Sequence, residues 1–133
     1  MDDLVLMPNV TEKTILVVDD SNITRNLIEK VYKEQYKVLM ASNGREAIDI
    51  VDTMPEGSVV AILLDLNMPD VDGFAVLDYF KEKGLFDKIP VSIITGDSSK
   101  ATINRVFTYN IVDVLIKPFS SFDIEKIVSK MVK

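Results

Sequence analysis

Residues 59–70 read VVAILLDLNMPD. Six apolar residues run into Asp65, and Asn67, Met68, Pro69 and Asp70 follow within five positions. The apolar run is strand-length, rich in Val, Ile and Leu, and does not alternate with polar residues. That is the pattern of a strand buried on both faces, as in a parallel sheet covered by helices. A carboxylate at the rim of such an element is costly unless it pairs, binds a cation or does chemistry.

Four further runs repeat the pattern: TILVV (14–18), KVLMA (37–41), VSIIT (91–95) and VDVLI (112–116). Between the runs lie segments of helical length and period. Ile23, Leu27 and Val31 form a stripe in the first. Asn43, with Glu46 three residues later, predicts a capped start for the second, and Pro55 and Gly57 follow its end. Phe74, Leu77 and Phe80 mark the third, which Gly84 closes. Ile103, Val106 and Phe107 mark the fourth. Ile124, Ile127, Val128 and Met131 mark the fifth, with Ser120 and Asp123 as a capping box. The order is (βα)₅, which predicts an α/β fold: a doubly wound, five-stranded parallel sheet with helices on both faces. Residues 1–12 are expected to form an N-terminal extension and 13–133 a single domain.

Composition narrows the function. The 133 residues carry 21 Asp and Glu against 15 Lys and Arg, a net charge of −6, which disfavours direct nucleic-acid binding. Cysteine and histidine are both absent, which removes disulfides, thiolate metal sites, Ser-His hydrolase chemistry and most zinc sites. No apolar run approaches the ~20 residues of a membrane span. The start, MDDLVLMPNVTEK, has acids where an export signal wants positive charge. The expected location is cytoplasmic, with no membrane partner.

In doubly wound sheets the functional crevice lies beyond the carboxyl ends of the strands. Strand one ends in Asp19 and Asp20, strand three in Asp65, strand four in Thr95 and strand five in Lys117-Pro118. Carboxylates crowded at one sheet edge repel by roughly 4 kcal/mol per close pair at intermediate dielectric. An oxygen-only donor set selects a hard cation such as Mg²⁺ to relieve this. A lone lysine beside it is a natural point-charge partner for a phosphoryl oxygen.

Taken together, VVDDS, LLDLNMPDVDG, IITG and IKPF resemble the receiver domain of two-component response regulators, the chemotaxis-regulator-like family, over roughly residues 13–131. The resemblance implies a flavodoxin-like fold and a phosphorelay switch rather than an enzyme. Asp65 would take a phosphoryl group from a sensor histidine kinase or phosphotransfer protein. Asp20, Asp65 and the backbone carbonyl of Asn67 would ligate Mg²⁺, with Asp19 acting through water. Thr95 would hydrogen-bond the acyl phosphate and Lys117 would pair with it. Pro118 would follow a cis peptide bond, and Pro69 and Gly73 would shape the loop after Asp65. The face made by helix four, strand five and helix five would signal to a downstream output protein or domain, or support a phosphorylation-dependent dimer.

Two departures stand out. Val114 occupies the position where the family usually has an aromatic residue, three before the lysine, and Gly96 stands where alanine is common. The competing readings are a receiver cut from a longer regulator with a C-terminal output domain, and a Mg²⁺-dependent phosphatase-like enzyme using Asp65 as nucleophile. Haloacid-dehalogenase-like phosphatases want a second Asp two residues on, where this chain has Asn67. A flavodoxin-like FMN site would need phosphate-cradling residues after strand one, where the chain has DDSN.

Overall fold

The computed structural model describes residues 12–68 and 72–132. Strands β1 (Thr14–Val18), β2 (Lys37–Ala41), β3 (Val59–Asp65), β4 (Val91–Thr95) and β5 (Val114–Ile116) alternate with helices α1 (Asn22–Tyr32), α2 (Gly44–Thr53), α3 (Gly73–Lys83), α4 (Lys100–Val106) and α5 (Ser121–Met131). All four pairings are parallel, and the strand order is β2-β1-β3-β4-β5. This is the doubly wound sheet that the continuous apolar runs predict. Every residue of the interior strands β1 and β4 is buried, while the edge strands β2 and β5 are mostly half-buried. Strand alternation divides the core in two. Val18, Ile62, Leu64 and Ile93 pack under α2, α3 and α4, and Ile15, Val17, Leu63 and Ile94 pack under α1 and α5.

The helix ends follow the sequence signals. Asn43 Oδ1 accepts the Glu46 N–H, and Glu46 Oε1 accepts the Ser42 N–H, closing the start of α2. Ser120 and Asp123 form the expected capping box at α5. Gly84 ends α3 in the left-handed region, φ 68°, where glycine carries no Cβ penalty.

Three sequence expectations are corrected. The buried residues of α1 are Thr24, Ile28 and Tyr32; of the expected stripe, Leu27 and Val31 pack half-buried against the same core, and Ile23 does not. Ile23 is 82% exposed. It sits in the first turn of α1, where it lines a groove of about 220 Å³ with Leu27, Pro118 and Phe119 instead of covering the sheet. Phe107 is also exposed, because α4 ends at Val106 and leaves that residue as its one buried position. Strand β5 covers three residues rather than five. Val112 N–H still bonds Val91 O, but on this edge strand the Val114 N–H is taken by the Asp113 carboxylate. Residues 1–11 of the expected extension lie outside the described residues, as does Pro69.

Candidate functional site

The winding direction reverses between β1 and β3, so these neighbouring strands deliver their carboxyl ends side by side. Val18 pairs with Leu64, which sets Asp19 beside Asp65. Val17, Leu63 and Leu115 face the core under α1 and α5. Asp19, Asp65 and Lys117 lie two residues further along each strand and keep that side. Lys117 Nζ stands 3.0 Å from Asp19 Oδ2 and 3.4 Å from Asp65 Oδ2, bridging the two carboxylates. Asp20 is exposed, yet one carboxylate oxygen from each of Asp19, Asp20 and Asp65 falls within 4.8 Å of the others. Beside them an open cleft of about 310 Å³ is lined by Asp20, Leu66, Asn67, Met68 and Asp72.

Burial and repulsion load this cluster. Asp65 is 4% exposed and Asp19 is fully buried. Burial, then the neighbouring charge of Asp19, pushes the Asp65 carboxyl from its ordinary 3.8 up to about 6, against the pull of Lys117 and the Asn67 N–H. Burial works to lower the Lys117 ammonium, but its hydrogen bond to Asp19 and the charges of both carboxylates hold it above its ordinary value. Backbone N–H groups steady the acids: Ser21 N donates to Asp19 Oδ1 at 2.8 Å and Asn67 N to Asp65 Oδ1 at 3.3 Å. The single ammonium leaves the three acids with excess negative charge. Their oxygen-only donor set can hold a hard divalent cation.

Thr95, wholly buried, ends the strand next to Asp65, one residue beyond the Asp65–Ile94 pair. Its carbonyl accepts the Lys117 N–H at 2.8 Å, fastening β5 to β4 at the site. Its hydroxyl accepts the Asp97 N–H at 3.0 Å. The Lys117-Pro118 peptide is cis. A Cβ on Gly73 would stand 2.6 Å from Asp65 O and 2.7 Å from Leu66 Cα. Only glycine lets α3 begin so close to the acidic strand end.

Two side chains near the site were not assigned these roles from the sequence. Asp72 caps α3 through the Ala75 N–H and lines the cleft. An Asp-Gly pair just before an apolar period is a helix-start signal that could have found it. Asp97 turns its carboxylate onto α4, bonding the Ser99 N–H and the Thr102 hydroxyl. Four residues between it and Thr102, its α4 partner, hide that link from a strand-end reading.

A family model described as the response regulator receiver domain matches residues 15–129. The chain belongs to that family. Among curated relatives, the two-component response regulator ORR5 of Oryza sativa subsp. japonica is 28% identical over 120 residues, covering 90% of this chain and 88% of the relative. The receiver fold recurs in the chemotaxis response regulator CheY4 of Vibrio cholerae, with TM-score 0.78 and 24% identity over 90% of this chain and 98% of that one. It recurs too in the receiver domain of the sensor histidine kinase PA1611 from Pseudomonas aeruginosa PAO1, a structure with a magnesium ion coordinated in its active site cleft. That likeness has TM-score 0.77 and 20% identity, over 91% of this chain and 98% of that one. The receiver is a signalling switch fold, and among its described residues no helix is long and apolar enough to cross a membrane.

Proposed function

We propose that this receiver is the phosphoacceptor of a two-component phosphorelay, with Asp65 as the modified residue. One observation carries the reading. Asp65 is buried among Asp19, Asp20 and Lys117, a cluster whose unbalanced negative charge suits a cation and whose ammonium suits a phosphoryl group. The sensor kinase or phosphotransfer protein presents a phosphohistidine. The N–P bond breaks as an Asp65 carboxylate oxygen forms the new O–P bond.

Such transfer needs positioning and charge neutralisation more than covalent help from the protein. Lys117, already 3.4 Å from Asp65, neutralises part of the charge that the phosphoryl oxygens bring. The Thr95 hydroxyl donates to one of them. Asp20, Asp65 and the Asn67 carbonyl would hold Mg²⁺, with Asp19 through water; when bound, the ion supplies the remaining neutralisation. The magnesium in the PA1611 receiver supports this assignment by likeness of fold.

We assign residues 13–133 to the receiver unit and 1–12 to an extension. The protein acts in the cytoplasm. Its output passes through the α4-β5-α5 face to a downstream protein or domain, or to a second copy.

Acetyl phosphate with Mg²⁺ should add one phosphoryl group, seen by intact mass and removed at alkaline pH. Asp65→Asn should remain unmodified; a variant modified as fully as wild type would show that another residue is the acceptor.

A further inference from the structure

The loop joining β4 to α4 is gathered by a single side chain. Asp97 Oδ1 accepts the Ser99 N–H at 2.9 Å and Oδ2 accepts the Thr102 hydroxyl at 2.7 Å. The Asp97 N–H in turn donates to Thr95 Oγ1 at 3.0 Å. Thr102, whose N–H is capped by Ser99 Oγ at 3.3 Å, lies in the first turn of α4. One residue therefore connects the last residue of β4 to α4 by three hydrogen bonds, all within eight positions of sequence.

The direction of those bonds matters. A threonine hydroxyl has one proton to give and two lone pairs. Asp97 N–H occupies a lone pair, so the Thr95 proton is left to point away from the loop. Thr95 is wholly buried and its strand runs beside Asp65, so acceptor oxygens added to Asp65 offer that proton a partner. When the hydroxyl turns toward them, the oxygen carries the Asp97 N–H with it. Asp97 is locked to Thr102, so α4 follows.

Val114, half-buried on β5 opposite Ile93, has no ring or hydroxyl with which to follow Thr95. The Thr102 hydroxyl, then the Ser99 N–H, hold the Asp97 carboxyl below its ordinary value, so it stays ionised and its bonds charge-assisted at neutral pH.

We propose that Asp97 is a positioning residue, aiming the Thr95 hydroxyl at the modified Asp65 and carrying its displacement to α4 through Thr102. The inference rests on Asp65 being the phosphoacceptor.

Thr102→Val, nearly isosteric but without the donor, separates the two readings. Beryllofluoride serves as the phosphoryl mimic, with amide shifts recorded throughout and phosphoryl uptake from acetyl phosphate measured by mass. Thr102→Val should take up one phosphoryl group as wild type does and keep the beryllofluoride shifts around Asp19 and Asp65, yet lose those of Lys100–Val106. Thr102→Ser, which restores a hydroxyl, should recover the α4 shifts. Wild-type α4 shifts in Thr102→Val, or equal loss in the Val and Ser variants, would overturn the relay. Failure of wild-type Asp65 to take up the group would instead overturn the phosphoacceptor reading, and the relay with it.

Discussion

Asp65→Asn removes one charge from the acidic cluster while keeping the size of the side chain and an oxygen for the Asn67 N–H. Without metal, the ionised Asp65 sits in a place that opposes its charge: 4% exposed and beside Asp19. The difference between 3.8 and about 6, at about 1.4 kcal/mol per pH unit, comes to roughly 3 kcal/mol of native-state strain at pH 7. Relaxation of the crowded acids lowers this, so the variant should gain about 2 kcal/mol, several degrees in Tm, when both proteins are melted in chelator.

The sign follows from linkage. A carboxyl whose folded pKa is raised gives stability that is fully present below its unfolded value and lost as pH rises through the folded one. The advantage of Asp65→Asn should therefore shrink as pH falls from 7 through about 6 and vanish near 4. Saturating Mg²⁺ should reverse the order, because an ion at a hundred times its dissociation constant stabilises the native state by about 2.7 kcal/mol, and the variant lacks a ligand. Thermal melts at several pH values, with chelator and with Mg²⁺, test each step. If Asp65→Asn melts lower than wild type at pH 7 in chelator, the pairing with Lys117 outweighs burial and repulsion, and the charge-crowding argument fails.

Gly73→Ala should cost about 1–3 kcal/mol, because its methyl meets backbone atoms that cannot turn aside; chemical denaturation measures the loss, and Asp65 amide shifts should report a displaced strand end. Ser92→Ala should raise stability by about 1 kcal/mol, since the Ser92 hydroxyl is fully buried with no hydrogen-bond partner among the described residues; a loss would reveal an acceptor or water serving it. Burial works to raise the Asp113 carboxyl, but Lys130 and the Val114 N–H outweigh it and hold it below its ordinary value. Its contribution is thus present above the ordinary pKa and lost as pH falls through the folded one. Lys130→Met should move the Asp113 titration upward by NMR and cost only a few tenths of a kcal/mol, as befits a partly solvated pair.

What the sequence disclosed about this fold tracks how each element is stabilised. The interior strands were legible because burial on both faces leaves long apolar runs. The strand-end acids were legible because Asp19 and Asp65 interrupt those runs, and topology alone then puts them side by side. Less was visible where contacts depend on phase or on the neighbouring layer. Ile23 continues an apolar period in α1, but the cap at Ser21 starts the helix at the rim of the sheet, and the residue one position on, Thr24, turns inward. Phe107 continues the period of α4 past the point where the helix stops. The start of the half-buried edge strand β5 was less legible, because its run at 112–116 includes Asp113, whose carboxylate takes the Val114 N–H, and the strand covers only Val114–Ile116.

The same distinction bears on how the switch is built. Residues that hold charge at Asp65 are brought together by strand order and would survive many changes in the helices around them. The route outward has no such guarantee: it depends on side chains in a loop and on a helix of only seven residues. Beyond the relay, α4 is fastened on its far side, where Arg105 stacks over Phe74 at 3.7 Å and the Tyr109 hydroxyl bonds Asp78, both on α3. Asp97 pulls on the first turn while Arg105 and Tyr109 hold the last turn and the chain just after it. A short helix gripped at both ends pivots more readily than it translates, so displacement should decline from Lys100 toward Val106. Removing the far grip with Tyr109→Phe should leave phosphoryl uptake unchanged and spread the beryllofluoride shifts to Val106 and beyond. A response still confined to the first turn would mean that Phe74 and Arg105 alone anchor the helix.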